Sequence, residues 1–167
     1  MPTKRMIIMG ETHGFLEDKL NQARIIRRIK PGYVLMEQES SDSDPDETYD
    51  AQKRGNQELL LAIKETGTEI IRCDAQLNNA PENRLAAMLY VLFNNGTREK
   101  EMGYIAVSYY QKTDSSIVVI VGEGHARQKS KIYKVLRSEG VPYEVVRSIY
   151  KPQNGLEEIL KGFIDSV

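Results

Sequence analysis

The sequence predicts an α/β protein: a three-layer, mostly parallel five-stranded sheet with helices on both faces. Three observations carry that expectation. Five short apolar runs, β-branched or continuous enough to be covered on both sides, recur along the chain. Helical patterns fall between them, and such alternation favours parallel pairing through right-handed crossovers. At 167 residues and 40% hydrophobic, the chain fits one domain, 1–167, with a real core.

The first run, RMIIM at 5–9, leads into a helix over about 15–30 that carries Leu16, Leu20, Ala23, Ile26 and Ile29 at helical spacing. Arg27, Arg28 and Lys30 suit the negative end of its dipole, and Pro31-Gly32 stops it. The second run, YVLME at 33–37, ends in Glu37, a carboxylate that is locally odd after four apolar residues. The acidic, turn-rich stretch at 38–50 reads as a solvated loop or as a lid over a site. A helix over about 52–65 follows and stops at Gly67; TEIIRC at 68–73 is the third strand. Two helices, about 81–93 and 97–112, fill the next gap, the first capped by Asn79 with Glu82. The fourth strand is SIVVIV at 116–121, and the helix after it, about 126–139, buries Ile132, Val135 and Leu136. VPYEVVR at 141–147 is the fifth strand, and a helix over about 155–165 closes the chain.

Composition narrows the partners. With 23 basic and 24 acidic residues, the chain carries no field that would gather nucleic acid or a membrane surface. No run nears the ~18 apolar residues that span a bilayer. The N-terminus has no secretory apolar region. Cys73 is alone, which excludes an intramolecular disulfide and fits a reducing compartment. The expectation is a cytoplasmic protein.

The chain has 2 histidines, and both stand in the same frame. His13 follows the first strand in G-E-T-H, after Gly10 and Glu11. His125 follows the fourth in G-E-G-H, after Gly122, Glu123 and Gly124. A lone histidine is commonly a cap or a satisfied core residue; two at the carboxyl ends of strands point to a site. In the doubly wound order 3-2-1-4-5, strands one and four are neighbours at the crevice where ligands bind. Adjacent strands lie ~4.8 Å apart, so the two turns can converge on one small group. The glycines suit a turn that needs positive φ or a close backbone approach. Glu37, on the strand expected beside the first, joins the same rim. Asp74 ends the third strand as a turn cap or a participant, with Arg72 a candidate ion-pair partner. Arg127, two residues past His125, is placed to meet an anionic group, whereas the other basic residues up to Arg137 read as a solvated face.

These motifs resemble the superfamily that joins TraB/PrgY pheromone-shutdown proteins, Tiki proteases, erythromycin-esterase-like proteins and ChaN-like haem-iron proteins. The resemblance runs from about residue 5 to 147 and rests on two G-x-x-H motifs after strands, a glutamate ending the second strand and an arginine on an intervening helix. On this chain they fall at Gly10 and His13, Glu37, Gly122 and His125, and Arg98. The segment at Arg98 is similar to R-[DE]-x-x-M-A: Glu99 and Met102 match, and Gly103 replaces the alanine. The G-E-x-H form, with Ala126 and Arg127 after the second motif, resembles the ChaN-like and esterase-like branches. The resemblance implies an α/β sheet with the motifs at its carboxyl edge. It also implies one of three activities: metal-dependent peptide cleavage, ester cleavage without a required metal, or haem binding. The chain shows no leader and is short, which disfavours an extracytoplasmic haem carrier and a deep pocket.

The leading functional expectation is a hydrolase acting on a small-molecule or peptide substrate. His13 or His125, oriented by Glu11, Glu37 or Glu123, acts as general base. Alternatively His13 and His125 with Glu37 or Glu11 hold a divalent metal that activates water. Arg98 or Arg127 then stabilises negative charge. The rival is a non-catalytic haem-, metal- or small-ligand-binding protein, and a third is an interaction module without chemistry. A homodimer that completes a shallow pocket suits a chain of 19.0 kDa.

Overall fold

The computed structural model describes residues 4–12, 15–37, 50–74 and 84–150, with backbone alone for 50–53 and 84–93. Its elements run β1 (Met6–Glu11), α1 (Leu16–Ile29), β2 (Tyr33–Met36), α2 (Asp50–Thr66), β3 (Glu69–Arg72), α3 (Arg84–Lys112), β4 (Ile117–Gly122), α4 (Lys131–Ser138) and β5 (Tyr143–Val146). The five strands form one sheet whose four pairings are all parallel, so the expected α/β class holds and its sheet is parallel throughout. The stretch 38–49 and the expected helix at 155–165 lie outside the described residues. Among the described residues, no helix is long and apolar enough to cross a membrane.

The strand order is β3-β2-β4-β1-β5, which corrects the expected 3-2-1-4-5. β1 and β4 are neighbours as expected, but β2 pairs with β4. Burial explains the arrangement. β1 and β4 are buried at every one of their 6 positions and take the two inner places on that side. The 4-residue β3 and β5 have no buried position and take the edges.

Side-chain parity divides the core into two layers. Ile7, Met9, Val34, Met36, Val118 and Ile120 face Ala23 and Ile26 of α1 and Leu59, Ala62 and Ile63 of α2. Met6, Ile8, Leu35, Val119 and Val121 face Met102 and Ala106 of α3 and Ile132, Val135 and Leu136 of α4. The direction in which the chain winds across the sheet therefore reverses at the β1/β4 pair, where α1 leaves on one face and α4 follows on the other.

Two helix boundaries differ from expectation. The helices expected at 81–93 and 97–112 are one helix, α3, unbroken through Gly96. The helix expected from 126 starts at Lys131, because residues 123–129 form turns and Ser130 caps α4, accepting from the Ile132 N–H at 3.3 Å. The turns close through His125 and Ala126 N–H groups donating to the Gly122 carbonyl at 2.9 and 3.3 Å.

Candidate functional site

At the carboxyl ends of β2, β3 and β4 a chain of ionisable groups is buried on the α3/α4 face. Glu37 is one residue past β2 and continues the ladder: its N–H donates to the Ile120 carbonyl at 3.1 Å. Being at the same parity as Leu35, its side chain turns toward α3. There Oε2 accepts the Gly122 N–H at 2.8 Å and Oε1 lies 3.1 Å from Arg98 Nη2. Arg98, with 0% exposure, also donates from Nε and Nη2 to Asp74 Oδ2 at 3.0 and 2.5 Å. Asp74 therefore pairs with Arg98, not with the exposed Arg72 expected from the sequence.

His125 occupies the other end. Its ring has no exposed surface. Nδ1 lies 3.1 Å from Glu99 Oε1, and Nε2 lies 3.3 Å from Glu37 Oε1. The second contact is within ion-pair range, yet among the described residues no acceptor lies along the hydrogen-bonding direction of Nε2. Glu99 Oε2 accepts the Lys131 N–H at 2.7 Å, and Tyr133 Oη donates to the Ala126 carbonyl at 2.7 Å, pinning the turn. Burial alone lowers the His125 pKa. The neighbouring Glu37 and Glu99 carboxylates reverse that, raising it to about 9.

Three carboxylates thus face one guanidinium and one imidazolium at neutral pH. Burying such charges is costly unless each is paired, and clusters of this kind concentrate at functional sites. Arg98 is held between the carboxylates of Asp74 and Glu37.

The remaining sequence candidates separate. His13 lies outside the described residues. Glu11 ends β1 at the opposite parity and faces α1, where Oε2 accepts from Lys19 Nζ at 2.6 Å and Gln22 Nε2 at 3.1 Å. Glu123, its counterpart in the second motif, instead pairs with Arg147 and accepts the Ser148 N–H at 3.0 Å. The repeated glutamates therefore do different work, tying α1 and the segment after β5 to the two turns. Their backbones meet as well, with Glu123 N–H donating to the Glu11 carbonyl at 2.8 Å. Gly10 is required by close approach: a Cβ there would strike the Glu123 carboxylate and come within 2.7 Å of Ala126 Cβ. Positive φ among the described glycines occurs at Gly67 and Gly140, not at Gly10, Gly122 or Gly124. Arg127 is exposed and forms no side-chain hydrogen bond or ion pair among the described residues. Burial and nearby carboxylates push the Cys73 thiol up, away from thiolate reactivity.

Glu99 and Asp18 escaped the candidate set. Glu99 shares a buried face of α3 with Met102, Gly103 and Ala106, so a charge leading a small and apolar stripe was the available signal. Asp18, buried on α1, accepts from Thr12 N–H at 2.8 Å, Ser148 Oγ at 2.6 Å and Ile149 N–H at 3.0 Å. Nothing local in the sequence marks that long-range link.

The trio expected to hold a divalent ion was His13, His125 and Glu37. Of its described members, Glu37 is committed to Arg98 and the Gly122 amide, beside a protonated ring. Among the described residues no group of three or more His, Cys, Asp or Glu side chains is arranged to hold an ion.

No protein-family model, curated protein or solved structure matches the chain.

Proposed function

We propose that the chain is a hydrolase working at the carboxyl edge of its sheet, with His125 as proton donor and His13 as base. The observation that carries this is the His125 ring held between two carboxylates, with Nε2 lacking an aligned acceptor among the described residues. A ring that keeps its proton to about pH 9 is a poor base at neutral pH and a well-placed acid. The N–H at Nε2 would donate to a leaving group or to the oxygen on which negative charge develops. Arg98 and Asp74 would hold Glu37 in place, and Glu37 would keep the ring charged. Since the ring has no exposed surface, the groups over it must move aside for substrate to arrive. The second G-E-x-H motif and its likeness to the esterase-like branch support the same assignment, with the substrate a small molecule or peptide.

The test is turnover of ester and peptide panels by the purified protein, its His125→Gln and His13→Ala variants, and metal analysis of each. Loss of activity in both variants with an unchanged circular-dichroism spectrum is expected. Activity surviving either change would sink the assignment. Stoichiometric zinc or manganese that disappears in His13→Ala would replace it with a metal-based mechanism. A haem Soret band would replace it with ligand binding.

A further inference from the structure

The Glu99 carboxylate spans two groups on different segments. Oε2 accepts the Lys131 amide at 2.7 Å, and Oε1 lies 3.1 Å from Nδ1 of His125. A backbone N–H is always a donor, so Oε2 is committed to α4. An ionised carboxylate only accepts, so the nitrogen facing Oε1 must carry a proton. Glu99 itself is 6% exposed, so water competes little for either oxygen. Tyr133 fixes the backbone beside the ring through the Ala126 carbonyl.

We propose that Glu99 is a positioning residue: by bridging Nδ1 of His125 to the first amide of α4, it fixes the imidazole ring and so aims Nε2. The assignment rests on the reading of His125 as the working group, and it separates from a simple helix-capping role by chemistry. Glutamine has one oxygen, which accepts, and one NH2, which only donates, so it cannot place an acceptor at both positions, facing the Lys131 amide and Nδ1–H. Proline at 131 removes the amide N–H together with the exposed lysine side chain and leaves Glu99 and His125 in place. It suits the first helical position, and Ser130 at φ −58° and ψ 141° is already in the conformation that precedes proline.

The experiment is NMR of the full-length, 15N-labelled protein, following the imidazole N–H protons. With 2 histidines in the chain, His13→Gln assigns them. An exchange-protected, downfield Nδ1–H of His125 is expected in the wild type and in Lys131→Pro. It should vanish in Glu99→Ala and weaken in Glu99→Gln. The double variant Glu99→Gln/Lys131→Pro should recover it, because the glutamine oxygen no longer has a competing donor. Survival of the resonance in Glu99→Ala overturns the proposal, as does its complete loss in Lys131→Pro with the fold intact. In turnover, Glu99→Ala should lower kcat roughly 10- to 100-fold with KM unchanged. The expected NMR pattern in a protein that turns over no substrate supports the positioning role and removes the hydrolase assignment alone.

Discussion

His125 owes its proton affinity to its neighbours, against the pull of its own burial. The folded state therefore binds this proton more tightly than the unfolded chain, where the pKa is near 6.5. Its contribution to stability is complete below that value and is lost as pH rises toward about 9. Denaturant unfolding of wild type and His125→Gln should show a stability difference that is flat below pH ~6 and shrinks by a few kcal/mol across that window. A difference constant through pH 9 would refute it. Arg98 gives a second contrast at this scale. Arg98→Ala leaves Asp74 and Glu37 buried without their guanidinium, and removing one partner of a buried ion pair costs about 3–5 kcal/mol. Arg5 and Glu144 form an ion pair at 3.0 Å with half-exposed side chains, and Arg5→Ala should cost below ~1 kcal/mol. Equal losses in the two unfolding experiments would count against the buried network. Glu37 and His125 were legible because a carboxylate after YVLM and a repeated G-E-x-H break local expectation. Arg98 came only from resemblance. Asp18 was invisible, since its partners at 148 and 149 lie some 130 positions away in the chain.

At the scale of elements, α3 and α4 meet through glycine. A Cβ at Gly103 would lie 2.9 Å from Val135 Cβ, closer than packed side chains come. Gly103→Ala would gain up to about 1 kcal/mol of helix propensity. Overpacking costs about 1–3 kcal/mol, so a net loss is expected. Val135→Ala should partly offset that loss in a double-mutant cycle, and strictly additive effects would argue against the contact. The same interface explains two misjudged boundaries. NNGT at 94–97 carries turn chemistry, yet α3 runs through it alongside α4, with Gly96 facing the Lys131 side chain at a comfortable distance. Tertiary packing overrides the local signal there. The late start of α4 was hidden because the turns at 123–129 are held by Glu99 and Tyr133, which the local pattern does not contain.

For the molecule as a whole, strand existence and parallel sense followed from apolar runs and alternation. Pairing order did not, because a crossover can land beside or beyond its predecessor without changing the local pattern. The order matters for the site. With β2 against β4, Glu37 meets the second histidine motif directly instead of reaching it across β1. It also changes how the sheet ends. One rung past the last backbone bond between β2 and β4, the Gly122 amide donates to a side chain, Glu37 Oε2, where a carbonyl would ordinarily stand. A backbone proton therefore reports on a carboxylate of the site. Whatever draws Glu37 away, whether a bound ligand, a proton or the loss of Arg98, would free that amide to exchange with solvent. Hydrogen exchange at this one position would then follow the occupancy of the site without any knowledge of the substrate.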